Sequence, residues 1–291
     1  MFQGSFPALV TPFRDEAFDE LTYRSFVEWQ INEGSHGLVP CGTTGESAKL
    51  RPDEHRRAIE VCVELSRGRV PVIAGCGSND TAHAIALTRT AKEAGADAAL
   101  HVPPYYNRPN QEGIYAHLAA IAEAVDIPIV LYNVPSRTIT DISVETMGRL
   151  AKIANIVAVK DATGNLARVT AQRLACGEDF IQLSGNDDMA LGFMAMGGTG
   201  CISVTANVAP RLCADFQDAC LAGDWDRAVE LQDRLYPLHA ALFTDASPGP
   251  VKYAVNRVRP DFPATLRLPM TPPSEASRKA VDAAMEHAGL L

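Results

Sequence analysis

Eight short apolar runs, rich in β-branched residues and each closed by a small or polar turn, constrain this chain more than any other feature. They occupy residues 5–11, 37–41, 70–75, 98–102, 127–132, 156–160, 180–184 and 200–204. Between them lie stretches such as 52–67, 81–94, 111–124 and 144–151, whose apolar residues recur at helical spacing with charges on the other face. Asp80 and Ser143 stand where N-caps belong, and Gly68 and Gly95 where C-caps belong. Strands that alternate with helices pair in parallel, and eight strands close a barrel, so the fold predicted is an α/β (β/α)8 TIM barrel. An open, doubly wound sheet is the alternative. It calls for a glycine-rich phosphate turn after the first strand, where this chain has Thr11-Pro12-Phe13-Arg14.

Beyond the eighth run, residues 210–222, 225–242, 250–257 and 274–287 read as further helices. Some complete the barrel ring and the rest form a C-terminal helical extension. The predicted division is a barrel over residues 1–223 and a helical region over 224–291, with the proline-rich stretches 245–250 and 260–273 as joints.

Composition narrows the partners. With 47% hydrophobic and 21% charged residues, the chain has ample core. Its formal net charge of −9 argues against nucleic acid, which needs a basic face. The densest basic group, Lys49, Arg51, Arg56 and Arg57, reads as a solvated helix start. Met1–Ser5 carries no basic leader, and no apolar run approaches the ~18 residues of a membrane span, so a cytoplasmic protein without membrane attachment is expected. Seven cysteines, odd in number and without a C-x-x-C pair, predict reduced, mostly buried thiols. Seven histidines show no ligand spacing, and no metal is expected.

Lys160 breaks the pattern. It ends the run Ile156-Val157-Ala158-Val159, and the chain has only six lysines against twenty arginines. An ammonium at the end of a strand buried on both faces is costly unless it is paired or sheds its proton. A desolvated lysine amine is the group that forms Schiff bases with carbonyl substrates. Alone, the residue reads more readily as a strand end whose stem snorkels to solvent. Period-two alternation puts Ile156, Ala158 and Lys160 on one strand face, and Val130 and Tyr132 on one face of the preceding strand. If both faces point inward, amine and phenol meet at the top of the barrel.

Other unusual residues fall at strand ends, where the chemistry of such barrels sits. Gly42-Thr43-Thr44-Gly45-Glu46-Ser47 follows the second run and is not a P-loop, since no lysine follows its second glycine. Pro103-Pro104-Tyr105-Tyr106-Asn107 follows the fourth run and Asn133-Val134-Pro135-Ser136-Arg137 the fifth. Gly185-Asn186-Asp187 follows the seventh. A phenol near pKa 10 can pass protons within a hydroxyl network, Thr43 or Thr44 could link two phenols into a relay, and Arg137 offers a bidentate fork for a carboxylate. Each also has a plainer reading: Tyr132 as a satisfied core tyrosine, Gly42–Ser47 as a tight turn, Tyr105-Tyr106 as packing or interface, and Arg137 as a surface ion pair. Gly75-Cys76-Gly77 and Gly197-Gly198-Thr199-Gly200 are weak nucleotide signals, and Ser47 and Ser136 lack the context of a nucleophilic serine.

Taken together, Gly42–Ser47, Pro104-Tyr105-Tyr106-Asn107-Arg108-Pro109, Tyr132-Asn133-Val134-Pro135-Ser136-Arg137-Thr138 and Lys160-Asp161-Ala162-Thr163-Gly164-Asn165 resemble the signature blocks of the dihydrodipicolinate synthase family, in the superfamily of N-acetylneuraminate lyase. The resemblance spans essentially the whole chain, down to Leu268-Pro269-Met270-Thr271-Pro272. It implies a (β/α)8 barrel with C-terminal helices, assembled as a homotetramer of two tight dimers, with a homodimer as the smaller alternative. It implies condensation of pyruvate with L-aspartate-4-semialdehyde in lysine biosynthesis, with no cofactor beyond the covalent pyruvate Schiff base. Lys160 matches the Schiff-base position, Tyr132 the proton donor and acceptor, and Thr43 the relay hydroxyl. Tyr106 matches the tyrosine that completes the relay from a neighbouring subunit. Thr44, Gly185 and the Ile202 backbone match pyruvate-binding positions, and Arg137 the carboxylate clamp.

Effector contacts in lysine-inhibited members come from positions matching Ser47, Ala48, Pro52, His55, Asn79, His83 and Tyr105. Pro52 stands where some members have histidine, and His83 where a glutamate is common. Proline offers no side-chain hydrogen bond, and imidazole removes an anionic partner for the effector's ammonium, so weak or absent inhibition by L-lysine is expected. Two other functions stay open: a lyase or aldolase for a sugar-derived 2-keto acid, and a noncatalytic small-molecule-binding barrel.

Overall fold

The computed structural model of the chain describes residues 2–291. Strand β1 (Gly4–Pro7) leads into a small antiparallel ribbon, β2 (Phe13–Arg14) and β3 (Ala17–Phe18), and then helices α1 (Glu20–Asn32) and α2 (Pro52–Ser66). Strand and helix then alternate: β4 (Ile73–Gly75), α3 (Thr81–Glu93), β5 (Ala98–His101) and α4 (Gln111–Ala124). Next come β6 (Ile129–Asn133), the single turn α5 (Pro135–Thr138), α6 (Val144–Leu150), β7 (Ile156–Asp161) and α7 (Ala167–Cys176). The ring ends with β8 (Ile181–Ser184), α8 (Ala190–Ala195), β9 (Gly200–Ser203) and α9 (Pro210–Ala222), followed by α10 (Trp225–Ala241), α11 (Gly249–Val258) and α12 (Glu275–Ala288). The helices read from periodicity agree with these to within a residue or two. Asp80 and Ser143 do cap, accepting hydrogen bonds from the His83 and Thr146 amides.

The sheet is parallel, in the order β1-β9-β8-β7-β6-β5-β4. The second predicted strand, residues 37–41, is the exception, because it makes bridges rather than a strand. Those bridges nevertheless close the barrel. On one side the Val39 amide donates to Pro7 O (3.1 Å) and the Leu9 amide to Val39 O (3.0 Å). On the other, the Leu38 amide donates to Pro71 O (2.9 Å) and the Ile73 amide to Leu38 O (2.9 Å). The strand is cut short because Pro40 has no N–H to donate and Cys41 turns into the left-handed region at φ 56°. Gly75 permits that crossing, since a Cβ there would lie 2.0 Å from Cys41 O. The Gly75-Cys76-Gly77 signal is thus one of packing.

Each of the eight positions sends at least one apolar side chain inward: Phe6, Val39, Ile73, Leu100, Val130, Ala158, Leu183 and Ile202 belong to one buried cluster. A second, larger cluster runs without a break from Leu9, Tyr23 and Phe26 to Leu235, Leu238, Val281 and Met285, joining the barrel's outer layer to the last helices.

Residues 260–273, expected as a joint, are instead bolted to the barrel. Phe262 is buried against the Phe26 ring, 4.9 Å between centroids. Arg267 forks onto both carboxylate oxygens of Glu54 at 2.6 Å and lies 4.1 Å over the Phe13 ring. Proline content signalled the missing helix correctly, but a buried guanidinium has to be paired, and the pairing pins the segment.

Candidate active site

Strand register brings the first two candidates together. Tyr132 of β6 pairs with Lys160 of β7, both buried and facing inward. The Lys160 Nζ stands 4.1 Å from the centre of the Tyr132 ring. No carboxylate oxygen lies within 4.0 Å of it among the described residues, so the amine is held by an aromatic face and by no ion pair. Gly185, the residue after β8, makes room for it. A Cβ there would stand 3.1 Å from Lys160 Cε, 3.1 Å from Asp161 O and 2.7 Å from Ala162 Cβ, so a larger residue would crowd the lysine stem.

Of the catalytic and substrate-binding candidates, three share a cavity whose lining does not include Lys160, Thr44, Gly185 or Ile202. Thr43, Tyr132 and Arg137 line one cavity of about 520 Å³. Thr44 is buried beside Thr43, though no hydrogen bond joins either hydroxyl to the Tyr132 phenol among the described residues. Arg137 is exposed on α5 and makes no ion pair among the described residues, which leaves its donors for an incoming anion. Ile202 lies in β9 opposite Phe6, in the inner cluster. Tyr106 is not brought into this chain's site: it is 91% exposed, at φ 70°.

The positions matched to an effector site fall on the same concavity. Ser47, Ala48, Pro52, His55, His83 and Tyr105 line the same cavity. Asn79 does not, and its carbonyl accepts the Asn107 amide at 2.8 Å. His55 is buried, with Nε2 2.8 Å from Gly75 O, and burial holds its pKa below the ordinary value.

A second buried lysine escaped the sequence reading. Lys252 of α11 is fully buried, and its ammonium donates to Glu46 Oε1 (2.8 Å), Thr11 O (2.7 Å) and Thr265 O. Burial lowers its pKa to about 8 against the pull of Glu46. Glu46, inside Gly42–Ser47, also takes Lys49 at 2.5 Å, so the glutamate of that motif is an anchor. The two lysines differ in company: Lys252 spends its three donors on oxygens, whereas Lys160 has no oxygen partner among the described residues. No local pattern marked Lys252, which lies on an amphipathic helix and finds two of its three partners, Thr11 and Glu46, 241 and 206 residues away.

Also unforeseen was Asp187, whose buried carboxylate accepts the Ser203 hydroxyl and the Val204 and Thr205 amides, at 2.9 and 3.3 Å, fixing the turn after Ile202. All seven cysteines are free, six of them buried. No group of three or more metal-ligating side chains occurs among the described residues, and no helix there is long and apolar enough to cross a membrane.

A closed parallel barrel with an unpaired amine on its inner wall, against a phenol at the C-terminal ends of the strands, defines the class of lyases that work through a lysine imine. Within that class, the chain belongs to the dihydrodipicolinate synthetase family, whose model matches residues 1–288. A relative from Rhizorhabdus wittichii, named 4-hydroxy-tetrahydrodipicolinate synthase, is 67% identical over 290 residues, covering 100% of both chains. The solved structure of the chloride-inhibited dihydrodipicolinate synthase from Acinetobacter baumannii, complexed with pyruvate, is 43% identical with a TM-score of 0.97 over 100% of both chains. A monomeric dihydrodipicolinate synthase variant is 36% identical with a TM-score of 0.96, covering 100% of this chain and 98% of that one.

Proposed function

We propose that this chain is a class I aldolase-type lyase that condenses pyruvate with L-aspartate-4-semialdehyde to give 4-hydroxy-tetrahydrodipicolinate in lysine biosynthesis. The observation that carries the proposal is the Lys160 amine, buried, free of ion pairs and 4.1 Å from the Tyr132 ring. The full-length likeness to relatives named for this activity supports it.

The residues have the following roles. Lys160 adds to the pyruvate carbonyl, and loss of water from the carbinolamine leaves an iminium ion. The iminium draws electrons from the adjacent methyl group, which loses a proton and becomes a nucleophilic enamine. The enamine carbon then forms a bond to the aldehyde carbon of the second substrate. Attack of that substrate's own amine on the iminium carbon closes the ring and releases Lys160. Because the iminium is the electron sink, the reaction runs without a metal or organic cofactor. Tyr132 takes and returns the protons that each step moves, with Thr43 as the relay hydroxyl. Thr44, Gly185 and the Ile202 backbone bind pyruvate, and Arg137 holds the aldehyde's carboxylate.

Tyr106 enters this scheme only from another subunit. Its 91% exposure supports a homotetramer of tight dimers in which a neighbour's Tyr106 completes the relay. The protein then works in the cytoplasm, with residues 1–223 as the catalytic barrel and 224–291 as the helical region. The groove lined by Ser47, Ala48, His55, His83 and Tyr105, with Asn79 beside it, is an effector site whose Pro52 and His83 leave L-lysine little to bind.

Two other readings compete. In the first, the same imine serves a lyase for a sugar-derived 2-keto acid. An unpaired Arg137 at the cavity mouth suits a carboxylate better than a polyol, which favours the synthase. In the second, the barrel only binds a small molecule, and the lone amine against a phenol would then have no purpose. A coupled assay offering aspartate semialdehyde, N-acetylneuraminate and 2-keto-3-deoxygluconate separates the three. Turnover of the semialdehyde is expected; turnover of the sugars alone, or of none, would overturn the proposal.

A further inference from the structure

The residues that follow Tyr132 and Lys160 in their strands point out of the barrel, and both are buried. Asn133 is 0% exposed and Asp161 4%, and the two are paired in register. Such groups must be satisfied, and a single side chain draws their hydrogen bonds together. Arg168, the second residue of α7, donates Nε to Asp161 Oδ2 (3.3 Å), one terminal nitrogen to Asp141 Oδ2 (3.3 Å) and the other to Ile142 O (2.7 Å). Asp141 Oδ1 in turn accepts the Asn133 side-chain amide (2.6 Å), and Asn133 Oδ1 accepts the Ile142 N–H (3.0 Å). Asp161 is held independently by Gln172 (2.6 Å) and by the Thr163 amide (2.9 Å) and hydroxyl (2.6 Å).

One guanidinium therefore spans the Lys160 strand, through Asp161, and the Tyr132 strand, through Asp141 and Asn133. It also fixes Ile142, the far end of the loop that begins with α5 and Arg137. Ile139 in that loop adopts φ 61°, a left-handed conformation that β-branched residues avoid, so the loop needs an external hold. We infer that Arg168 is the positioning residue of this site, a three-way clamp behind the barrel wall that keeps the Arg137 loop in register with Lys160 and Tyr132. A lysine could not replace it, because a point charge on a flexible stem reaches one of three divergent acceptors.

This inference rests on the synthase reading, and the test keeps the two apart. Arg168→Met, Arg168→Lys and Asp141→Ala are compared with the parent and with Arg149→Met, which breaks an exposed ion pair to Glu112 on the neighbouring helices. Borohydride trapping with pyruvate and steady-state kinetics with aspartate semialdehyde are measured on protein shown to be folded. The parent's trapping at Lys160 and its turnover test the underlying reading by themselves. For Arg168→Met, pyruvate trapping is expected to persist while kcat/KM for the aldehyde falls about ten- to a hundredfold, chiefly through KM, the scale of a misplaced binding group. Arg168→Lys should recover only part of the loss, Asp141→Ala should move KM in the same direction, and Arg149→Met should match the parent. An active parent with Arg168→Met and Asp141→Ala constants within about twofold of it would overturn the inference. So would trapping and condensation that fall together in proportion to the unfolded fraction. If Arg168→Met does not fold, the Asp141→Ala result decides.

Discussion

At the scale of single residues, two lysines are taken out of water in this protein and treated in opposite ways. Lys252 is surrounded by oxygen acceptors and serves as a bolt, whereas Lys160 is left against a ring and remains free to react. Parity in the two apolar runs made the Lys160–Tyr132 pair legible, because a side chain's face follows from counting by twos. Lys252 was not legible, since its worth depends on groups far along the chain. Replacing Tyr132 with phenylalanine keeps the ring beneath the amine and removes only the hydroxyl. Turnover should fall about 10²–10⁴-fold with little change in melting temperature, the range for a lost acid–base group; near-normal turnover would exclude the relay. Gly185→Ala places a methyl 2.7 Å from Ala162 Cβ and 3.1 Å from Lys160 Cε. It should cost about 1–3 kcal/mol in a denaturant titration, as overpacking does, and should slow pyruvate trapping.

At the scale of elements, the C-terminal segment is fastened to the loop after the second strand position by buried charge. Breaking one partner of a buried pair costs about 3–5 kcal/mol. Lys252→Met should fall near the lower end of that range, because Lys49 still pairs with Glu46, and a change in unfolding free energy close to zero would contradict the anchor. Glu54 gives a pH signature. Burial raises its carboxyl, but the paired Arg267 fork overcomes that and holds it at about 2, against an ordinary 4.5. Between those values the unfolded chain binds more protons than the folded one, so stability is present above pH 4.5 and is lost as pH falls toward 2. Glu54→Gln should flatten that limb in acid titrations followed by circular dichroism. Helix positions were readable from apolar spacing and caps, whereas the role of 260–273 was not, because proline and glycine report where a helix stops and say nothing of what a loop grips.

For the whole molecule, the eightfold plan was legible because each barrel position must send an apolar side chain inward, and one does from every position. The weak point was the second strand, where Pro40 and the left-handed Cys41 reduce a strand to bridges, a local geometry that counting apolar residues does not detect. Burial also shapes the response to acid. His101, fully buried outside the barrel wall, is held near 3 by desolvation and by the neighbouring His117, against an ordinary 6.5. The unfolded chain therefore gains a proton that the folded chain refuses, and stability falls as pH drops from 6.5 toward 3. His101→Gln should soften that decline. L-Lysine should inhibit weakly or not at all in steady-state assays, and half-maximal inhibition at sub-millimolar lysine would contradict the reading of Pro52 and His83. The most direct measurement is borohydride reduction with pyruvate followed by peptide mapping. The expected result is one reduced adduct per chain, on the peptide bearing Lys160, with Lys252 untouched. An adduct on Lys252, on any other lysine, or on none would contradict the assignment of the reactive amine.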